Sequence, residues 1–187
     1  MKITTVFLDR DGVLNADSPD YILHPEQVRI LPGVPEAVRR FTNAGIPLFI
    51  ISNQQAVGKG LMTPQCAKAI FQKVIAGAES AGGKITGHYY CPHRKEENCS
   101  CRKPGTGLFE EAERDHDLKM EGSVFIGDGP GDAGAAEQLG IPFYLVKQGW
   151  WKKTKVYCDE KGISYTLVRD LSAAAEEILK INQERTK

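Results

Sequence analysis

Short apolar runs alternate along the chain with longer segments in which apolar residues recur every three or four positions. Runs of four or five residues that are rich in β-branched and aromatic side chains are typical of buried strands. The sequence therefore predicts five strands, at residues 4–8, 47–51, 123–126, 142–146 and 165–168.

The segments between these runs have the spacing of amphipathic helices. One begins at Val34 and stops at Gly45, and another begins at Thr63-Pro64, whose residue types suit an N-cap and the first helical position. Further helices are predicted at about 107–114, at about 131–139 and from 172 onward. This alternation predicts an α/β fold, a doubly wound, mostly parallel sheet with helices on both faces, in one domain spanning residues 1–187.

Polar side chains follow three of the predicted strands. Asp9 and Asp11 follow the first, the run Ser52-Asn53-Gln54-Gln55 follows the second, and Asp128 follows the third. Each group alone is also explained by an acidic turn or a helix cap. Because ligands bind beyond the carboxyl ends of parallel strands, their joint occurrence predicts one shared site.

Asp9 and Asp11 are separated by one residue, which places both carboxylates on the same side of a strand end. Two negative charges this close repel each other unless a cation lies between them. One carboxylate can serve as a nucleophile and its neighbour as a general acid and base, with Mg²⁺ holding the group together.

Composition narrows the choice of function class. The 24 basic and 24 acidic residues balance, so no nucleic-acid or membrane partner is predicted. No apolar stretch reaches membrane-spanning length, and the first strand begins too early to leave room for a signal peptide. The odd number of cysteines favours metal binding or free thiols over disulfides. A cytoplasmic monomer is expected.

Four motifs in order resemble those of the haloacid dehalogenase (HAD) superfamily of phosphohydrolases. They are Asp9-x-Asp11-x-Val13, Ser52, Lys103 and Gly127-Asp128-x-x-x-Asp132. The resemblance implies a HAD-like fold in which Asp9 attacks phosphorus and Asp11 is the acid and base, and the sequence shows no obvious cap domain. It also implies that Ser52 and Lys103 hold the phosphoryl oxygens. Asp9, the backbone carbonyl of Asp11 and Asp128 would bind catalytic Mg²⁺.

A second cluster of chemistry lies in residues 91–101. Cys91, His93, Cys99 and Cys101 are four nitrogen and sulfur ligands within eleven residues, a set that suits tetrahedral, structural Zn²⁺. The alternative is a loop of reduced cysteines without metal. Arg102-Lys103 follows directly, so zinc would order the loop and direct two cations at the phosphate.

This zinc loop, with the opening Asp-Arg-Asp-Gly-x-Leu-Asn and the later Ser-Asn-Gln, resembles two groups of HAD phosphatases. One comprises the D-glycero-D-manno-heptose-1,7-bisphosphate 7-phosphatases of lipopolysaccharide precursor synthesis. The other comprises histidinol-phosphatase domains, which are commonly fused to a dehydratase, and 187 residues leave no room for one. The heptose reading is therefore favoured, with a small phosphorylated sugar as substrate. The implied substrate contacts are Asp17, Asp20, Tyr21, Ser52, Asn53, Gln54, Gln55, Arg102 and Lys103.

The chain departs from this resemblance at three places. Gly129 stands where the family often has a basic residue, Lys59 stands where relatives often have arginine, and the segment 17–21 is one residue longer.

Two rival functions stay open, a zinc-loop nucleic-acid binder and a 3′-phosphatase of nucleic-acid ends. Trp150-Trp151 is interpreted as a cover over a sheet edge.

Overall fold

Six parallel strands form one sheet in the order β3-β2-β1-β4-β5-β6. The computed structural model describes residues 2–184. The strands are β1 (Thr5–Leu8), β2 (Leu48–Asn53), β3 (Gly87–Cys91), β4 (Ser123–Gly127), β5 (Phe143–Val146) and β6 (Thr166–Val168). The predicted doubly wound parallel sheet is confirmed.

Seven α-helices connect or flank these strands in the described residues. They are α1 (Val34–Asn43), α2 (Gln55–Gly58), α3 (Pro64–Ala78), α4 (Gly107–His116), α5 (Pro130–Leu139), α6 (Trp151–Lys161) and α7 (Leu171–Glu184). Short 3-10 helices occupy Pro25–Gln27 and Lys95–Glu97. Within residues 2–184, no helix has the length and apolar character needed to cross a membrane.

The central strands are buried on both faces, which explains their continuous apolar runs. Along β1, Val6 and Leu8 join a core with α1, α3 and α7, whereas Phe7 joins a second core with α4, α5 and α6. The second core is aromatic. Phe7 lies 5.0 Å from Phe109 between ring centres, and Phe109 lies 5.1 Å from Phe125, both edge to face.

Three elements were not predicted from the sequence. β3 contains His88, Tyr89 and Tyr90, which are partly exposed because this strand forms an edge of the sheet, so no apolar run marks it. α2 has only four residues, too few for a periodic signal. α6 buries only Thr154 and Cys158, and six of its eleven residues are charged. The Trp150-Trp151 segment leads into this helix, which packs against β5 and α5 rather than along a sheet edge.

The position of the site follows from the strand order. The chain runs outward from β1 through β2 to β3 and then crosses to the other side of β1 to form β4. A crevice opens at such a switch point, beyond the carboxyl ends of β1 and β4. The residues that follow β1, β2 and β4 therefore face one another there.

Candidate active site

The carboxyl ends of β1 and β4 lie side by side, and β2 continues three residues beyond the partner of Leu8, to Asn53. Leu8 pairs with Ile50 of β2 and with Ile126 of β4, and the backbone N–H of Asp9 donates to the Ile126 carbonyl at 2.9 Å. Asp9 and Asp128 thus leave neighbouring strands one or two residues beyond this pairing. The structure brings together groups that are 119 positions apart in the sequence, as the strand pattern predicted.

Lys103 connects two carboxylates at the bottom of the crevice. Its Nζ lies 2.7 Å from Asp9 Oδ1 and 2.6 Å from Asp132 Oδ1, and it also donates to the Ile51 carbonyl at 2.7 Å. Burial disfavours the charge on Lys103, but the two carboxylates outweigh this effect and raise the pKa of Lys103. The lysine is therefore a fixed positive charge beside Asp9.

Asp9, Asp128 and Asp132 form a carboxylate cluster whose oxygen atoms lie within 4.8 Å of one another. Burial and repulsion from Asp132 raise the pKa of Asp9 to about 7 even though Lys103 opposes the shift. Burial and repulsion from Asp9 raise the pKa of Asp128 to about 9. One lysine does not balance three carboxylates of which two are buried and one is partly buried, and oxygen ligands are those that Mg²⁺ prefers. The residues therefore fit a hard divalent cation.

Asp132 was identified in the sequence only as part of a motif, without a role as a ligand. Its Oδ2 accepts hydrogen bonds from the backbone N–H groups of Asp128, at 3.2 Å, and Gly129, at 2.9 Å. It therefore fixes the loop that carries Asp128 while its other oxygen pairs with Lys103. The side chain of Asp11 is not a member of the carboxylate cluster, and the Asp11 backbone carbonyl remains the predicted contact with Mg²⁺.

The carboxylate of Asp11 is held by three neighbouring side chains. Arg10 Nη2 lies 2.8 and 2.7 Å from its two oxygens, Asn15 Nδ2 donates to Oδ1 at 2.8 Å, and Gln54 Nε2 donates to Oδ2 at 3.0 Å. Arg10 is 1% exposed, and its guanidinium carbon lies 5.1 Å from the ring centre of Phe71. Sequence reasoning assigned no role to Arg10, although a basic residue between two aspartates signals such a pair.

Gly12 allows the loop after β1 to pass close to Asp128. Its φ is +79°, a conformation that side chains disfavour, and a Cβ atom there would lie 2.5 Å from Asp128 Oδ2. The glycine of the opening motif is thus required by both backbone conformation and space.

A crevice of about 500 Å³ opens above these groups and contains most of the predicted substrate contacts. The predicted site residues that line it are Asp9, Asp11, Asp17, Tyr21, Ser52, Asn53, Gln54, Gln55, Arg102, Lys103 and Asp128. Asp20 is exposed and is not among the lining residues. Trp150 and Arg10 also line the crevice and were not predicted to do so.

The side-chain amides of Asn53 and Gln54 are engaged with neighbouring residues of the site. Asn53 Nδ2 donates to the Lys103 carbonyl at 3.1 Å, and Asn53 Oδ1 accepts from the Lys103 N–H at 3.0 Å. Gln54 Nε2 donates to Ser52 Oγ at 2.8 Å as well as to Asp11. In this arrangement the two amides position Lys103, Ser52 and Asp11.

Cys91, His93, Cys99 and Cys101 form a cysteine–histidine cluster whose ligand atoms lie within 4.8 Å of one another. The sulfur of Cys101 lies 3.2 Å from that of Cys91 and 3.4 Å from that of Cys99, and His93 Nδ1 lies 3.2 Å from Cys101 Sγ. A tetrahedral ion with Zn–S distances of about 2.3 Å would separate the sulfurs by roughly 3.8 Å. The spacing and donor set therefore fit a zinc-sized ion after a small expansion.

Backbone carbonyls of the cysteine–histidine cluster and of Pro92 accept hydrogen bonds from residues in or next to the crevice. The Gln54 N–H donates to the Cys91 carbonyl at 2.7 Å, the Gly58 N–H donates to the Pro92 carbonyl at 2.9 Å, and Arg102 Nη1 donates to the His93 carbonyl at 3.3 Å. Cys91 also pairs with Asn53 in the register of β2 and β3. The backbone around these ligands therefore supports Asn53, Gln54 and Arg102.

Comparisons with known proteins agree with this geometry. Residues 100–174 match the family model described as HAD-hydrolase-like. D-glycero-β-D-manno-heptose-1,7-bisphosphate 7-phosphatases from Bordetella bronchiseptica and Pseudomonas putida are 32% and 34% identical over 176 residues. These alignments cover 93% of this chain and 97% and 98% of the two relatives.

The fold also matches that of solved structures. The structure of D,D-heptose 1,7-bisphosphate phosphatase from B. bronchiseptica, complexed with magnesium and phosphate, gives a TM-score of 0.87 at 32% identity. The match covers 97% of this chain and 99% of that one. The carboxylate cluster and buried lysine lie in the switch-point crevice, and the cysteine–histidine cluster supports its wall. Since this geometry accompanies near full-length similarity at 32–34% identity, the chain belongs to the family of D-glycero-D-manno-heptose-1,7-bisphosphate 7-phosphatases within the HAD-like hydrolases.

Proposed function

We propose that the protein removes the 7-phosphate of D-glycero-D-manno-heptose 1,7-bisphosphate in the synthesis of a lipopolysaccharide precursor. The observation that carries this proposal is the near full-length similarity to two phosphatases named for that reaction. The crevice supports it because it combines a nucleophile, a fixed cation and a cation-binding cluster at one end with polar side chains toward its rim.

The proposed reaction has two displacements at phosphorus. The Asp9 carboxylate attacks phosphorus, the bond to the sugar oxygen breaks, and Asp11 donates a proton to that oxygen as the sugar leaves. Asp11 then removes a proton from a water molecule that attacks the aspartyl phosphate. Inorganic phosphate is released, and both aspartates return to their starting forms.

The remaining groups neutralise and orient the phosphoryl group. Lys103 Nζ, 2.7 Å from Asp9, faces the oxygens of a phosphoryl group that approaches this carboxylate. Ser52 Oγ accepts from Gln54, which leaves the hydroxyl proton for a phosphoryl oxygen. Mg²⁺ held by Asp9, Asp128 and the Asp11 carbonyl would supply the positive charge that phosphoryl transfer requires. Arg102 is the proposed partner of the 1-phosphate.

Zinc is proposed as the structural occupant of the cysteine–histidine cluster. Four protein ligands leave no position for substrate, so its role would be to hold the loop that carries Arg102 and Lys103. We further propose a cytoplasmic, monomeric enzyme folded as one domain over residues 1–187. Met1 and residues 185–187 lie outside the described part.

A substrate panel tests the proposal. Both anomers of heptose 1,7-bisphosphate, histidinol phosphate and a 3′-phosphorylated oligonucleotide are supplied with Mg²⁺, and phosphate release is measured. We expect the highest kcat/KM for one heptose bisphosphate. Activity should be lost in EDTA and restored by Mg²⁺. Preference for histidinol phosphate or the oligonucleotide would contradict the assignment of heptose bisphosphate as substrate. Full activity in EDTA would contradict the role of Mg²⁺.

A further inference from the structure

Trp150 is the lining residue of the crevice that the proposed mechanism leaves without a function. It follows β5 at the start of α6, and its side chain is 53% exposed although tryptophan is large and mostly apolar. Its neighbour Trp151 is partly buried and packs against the second core. The two tryptophans of the chain therefore have different environments, and only Trp150 borders the crevice.

The backbone at Trp150 is fixed against the carboxylate cluster. Its N–H donates to Asp128 Oδ2 at 2.9 Å, and the Thr154 hydroxyl of the same helix donates to the Asp128 carbonyl at 2.6 Å. At Gly149 φ is +45°, and a Cβ atom there would lie 2.1 Å from Asp128 Oδ2. The loop can approach Asp128 this closely only because residue 149 has no side chain.

The indole ring is held at the rim by its one polar atom. Its Nε1–H donates to Asp17 Oδ2 at 3.1 Å, which connects the α6 side of the crevice to the loop that follows β1. Lys153 Nζ lies 5.0 Å from the centre of the ring, a contact that covers one of its two faces. An aromatic wall next to an oriented carboxylate is a typical way to bind a ligand that is apolar on one side and polar on the other.

The geometry points to Trp150 as a specificity-determining residue, whose indole packs against the carbon skeleton of the sugar while Asp17 binds a sugar hydroxyl. This inference rests on the proposed function. When the 7-phosphoryl group lies at Asp9, the heptose ring is separated from it by two exocyclic carbons and therefore lies nearer the rim. Gly129, next to Asp128, adds no side chain to this wall, so Trp150 supplies its bulk.

Kinetics of Trp150→Ala, Trp150→Phe and the control Trp151→Phe test the inference. For heptose 1,7-bisphosphate we expect Trp150→Ala to raise KM roughly tenfold, because the sugar loses one good aromatic contact. The kcat of this variant should stay within about twofold of the wild-type value. Trp150→Phe should raise KM by only about threefold, because it keeps a ring but loses the bond to Asp17. The inhibition constant of inorganic phosphate and turnover of acetyl phosphate, which has no sugar, should not change.

Fluorescence gives an independent test that does not require the alanine variant to fold, because it uses only the two phenylalanine variants. Trp151→Phe leaves Trp150 as the single tryptophan, and Trp150→Phe leaves Trp151. Titration with the product, heptose 1-phosphate, should change the emission of Trp151→Phe and not that of Trp150→Phe. Inorganic phosphate should change neither.

The outcomes separate the two proposals. A wild type that hydrolyses acetyl phosphate but not heptose bisphosphate overturns the proposed function, and the inference with it. A wild type active on heptose bisphosphate, with unchanged KM in Trp150→Ala, overturns the inference alone. The inference is also overturned if Trp150→Ala raises the inhibition constant of inorganic phosphate as much as it raises the KM of the sugar substrate. Equal effects would indicate a structural change transmitted through Asp128.

Discussion

The carboxylate cluster and the cysteine–histidine cluster are both groups of ligand atoms within 4.8 Å, but they are built in opposite ways. The cysteine–histidine cluster comes from eleven consecutive residues, and three of its four members are partly exposed. The carboxylate cluster joins residues from the ends of two strands and the first turn of α5, and Asp128 and Asp132 are each 3% exposed.

The difference concerns what holds each cluster together. Around the carboxylate cluster, paired strands and two cores fix the backbone before any cation binds. The loop 91–101 has few apolar side chains, so the proposed zinc ion would be needed to order it, because a short polar segment cannot offset the entropy that it loses on folding. Chemistry is therefore expected to fail when the first cluster changes, and positioning to fail when the second changes.

The strongest test of this contrast is Asp9→Asn. An amide cannot form the acyl phosphate, so turnover should fall by at least about a thousandfold. The fold should persist because Lys103 keeps its ion pair with Asp132. Kinetics with Mg²⁺ and a thermal midpoint from circular dichroism measure both effects, with the exposed Asp117→Asn as a matched control. Near wild-type turnover by Asp9→Asn would refute the assignment of Asp9 as the nucleophile.

Lys103→Met should affect both activity and stability. It leaves Asp9 and Asp132 buried without their shared cation, and breaking such a pair costs about 3 kcal/mol of unfolding free energy. Urea unfolding and kinetics measure the two losses. Lys155→Met, which breaks an exposed pair with Asp159, is the control and should change neither. An Lys103→Met variant as stable as wild type would show that the sheet alone supports these carboxylates.

Cys99→Ser addresses the other cluster. It should lower zinc content from about one ion per chain, raise KM roughly tenfold and leave most of the α/β core folded, because the core packs independently of this loop. Elemental analysis, kinetics and circular dichroism measure these effects, with Cys66→Ser as the control outside the cluster. Metal-free wild type with full activity would rule out a zinc requirement. Global unfolding of Cys99→Ser would mean that the core depends on the loop.

The smallest effect is expected at Glu97, within the same loop. Glu97 Oε1 accepts from the Arg94 N–H, and its ion pair with the Arg94 side chain is 3.7 Å long and exposed. Glu97→Gln keeps an acceptor and should leave zinc content, KM and the thermal midpoint within error. A marked loss of zinc would show that polar contacts of the loop, and not only its four ligands, hold the metal.

The same contrast explains what the sequence could and could not predict. Asp9, Ser52 and Asp128 were predicted to converge because each follows an apolar run, and parallel strands share a carboxyl edge. The cysteine–histidine cluster was predicted because its members are close in sequence. Asp11 is predicted to contact the metal through its backbone carbonyl, and no periodicity in the sequence reveals that its carboxylate pairs with Arg10.

Contacts between elements distant in sequence were the least predictable. The hydrogen bonds from Asn53 to Lys103 and from Trp150 to Asp17 join segments 50 and 133 positions apart. β3 and α6, which help to place these segments, have too few apolar residues to show a period. Asn53 positions the backbone of Lys103, and Trp150 lines the crevice, because of where each lies in the fold and not because of its residue type.

The sheet order also determines when during synthesis the site can form. β1 is made first and lies in the centre, and its neighbour β4 begins at Ser123, more than a hundred residues later. Until β4 and α5 have left the ribosome, one edge of β1 has no partner and Lys103 has no Asp132. Pairings this distant slow folding, and unpaired edges promote aggregation. The nascent chain therefore carries Asp9 long before the carboxylate cluster around it can form.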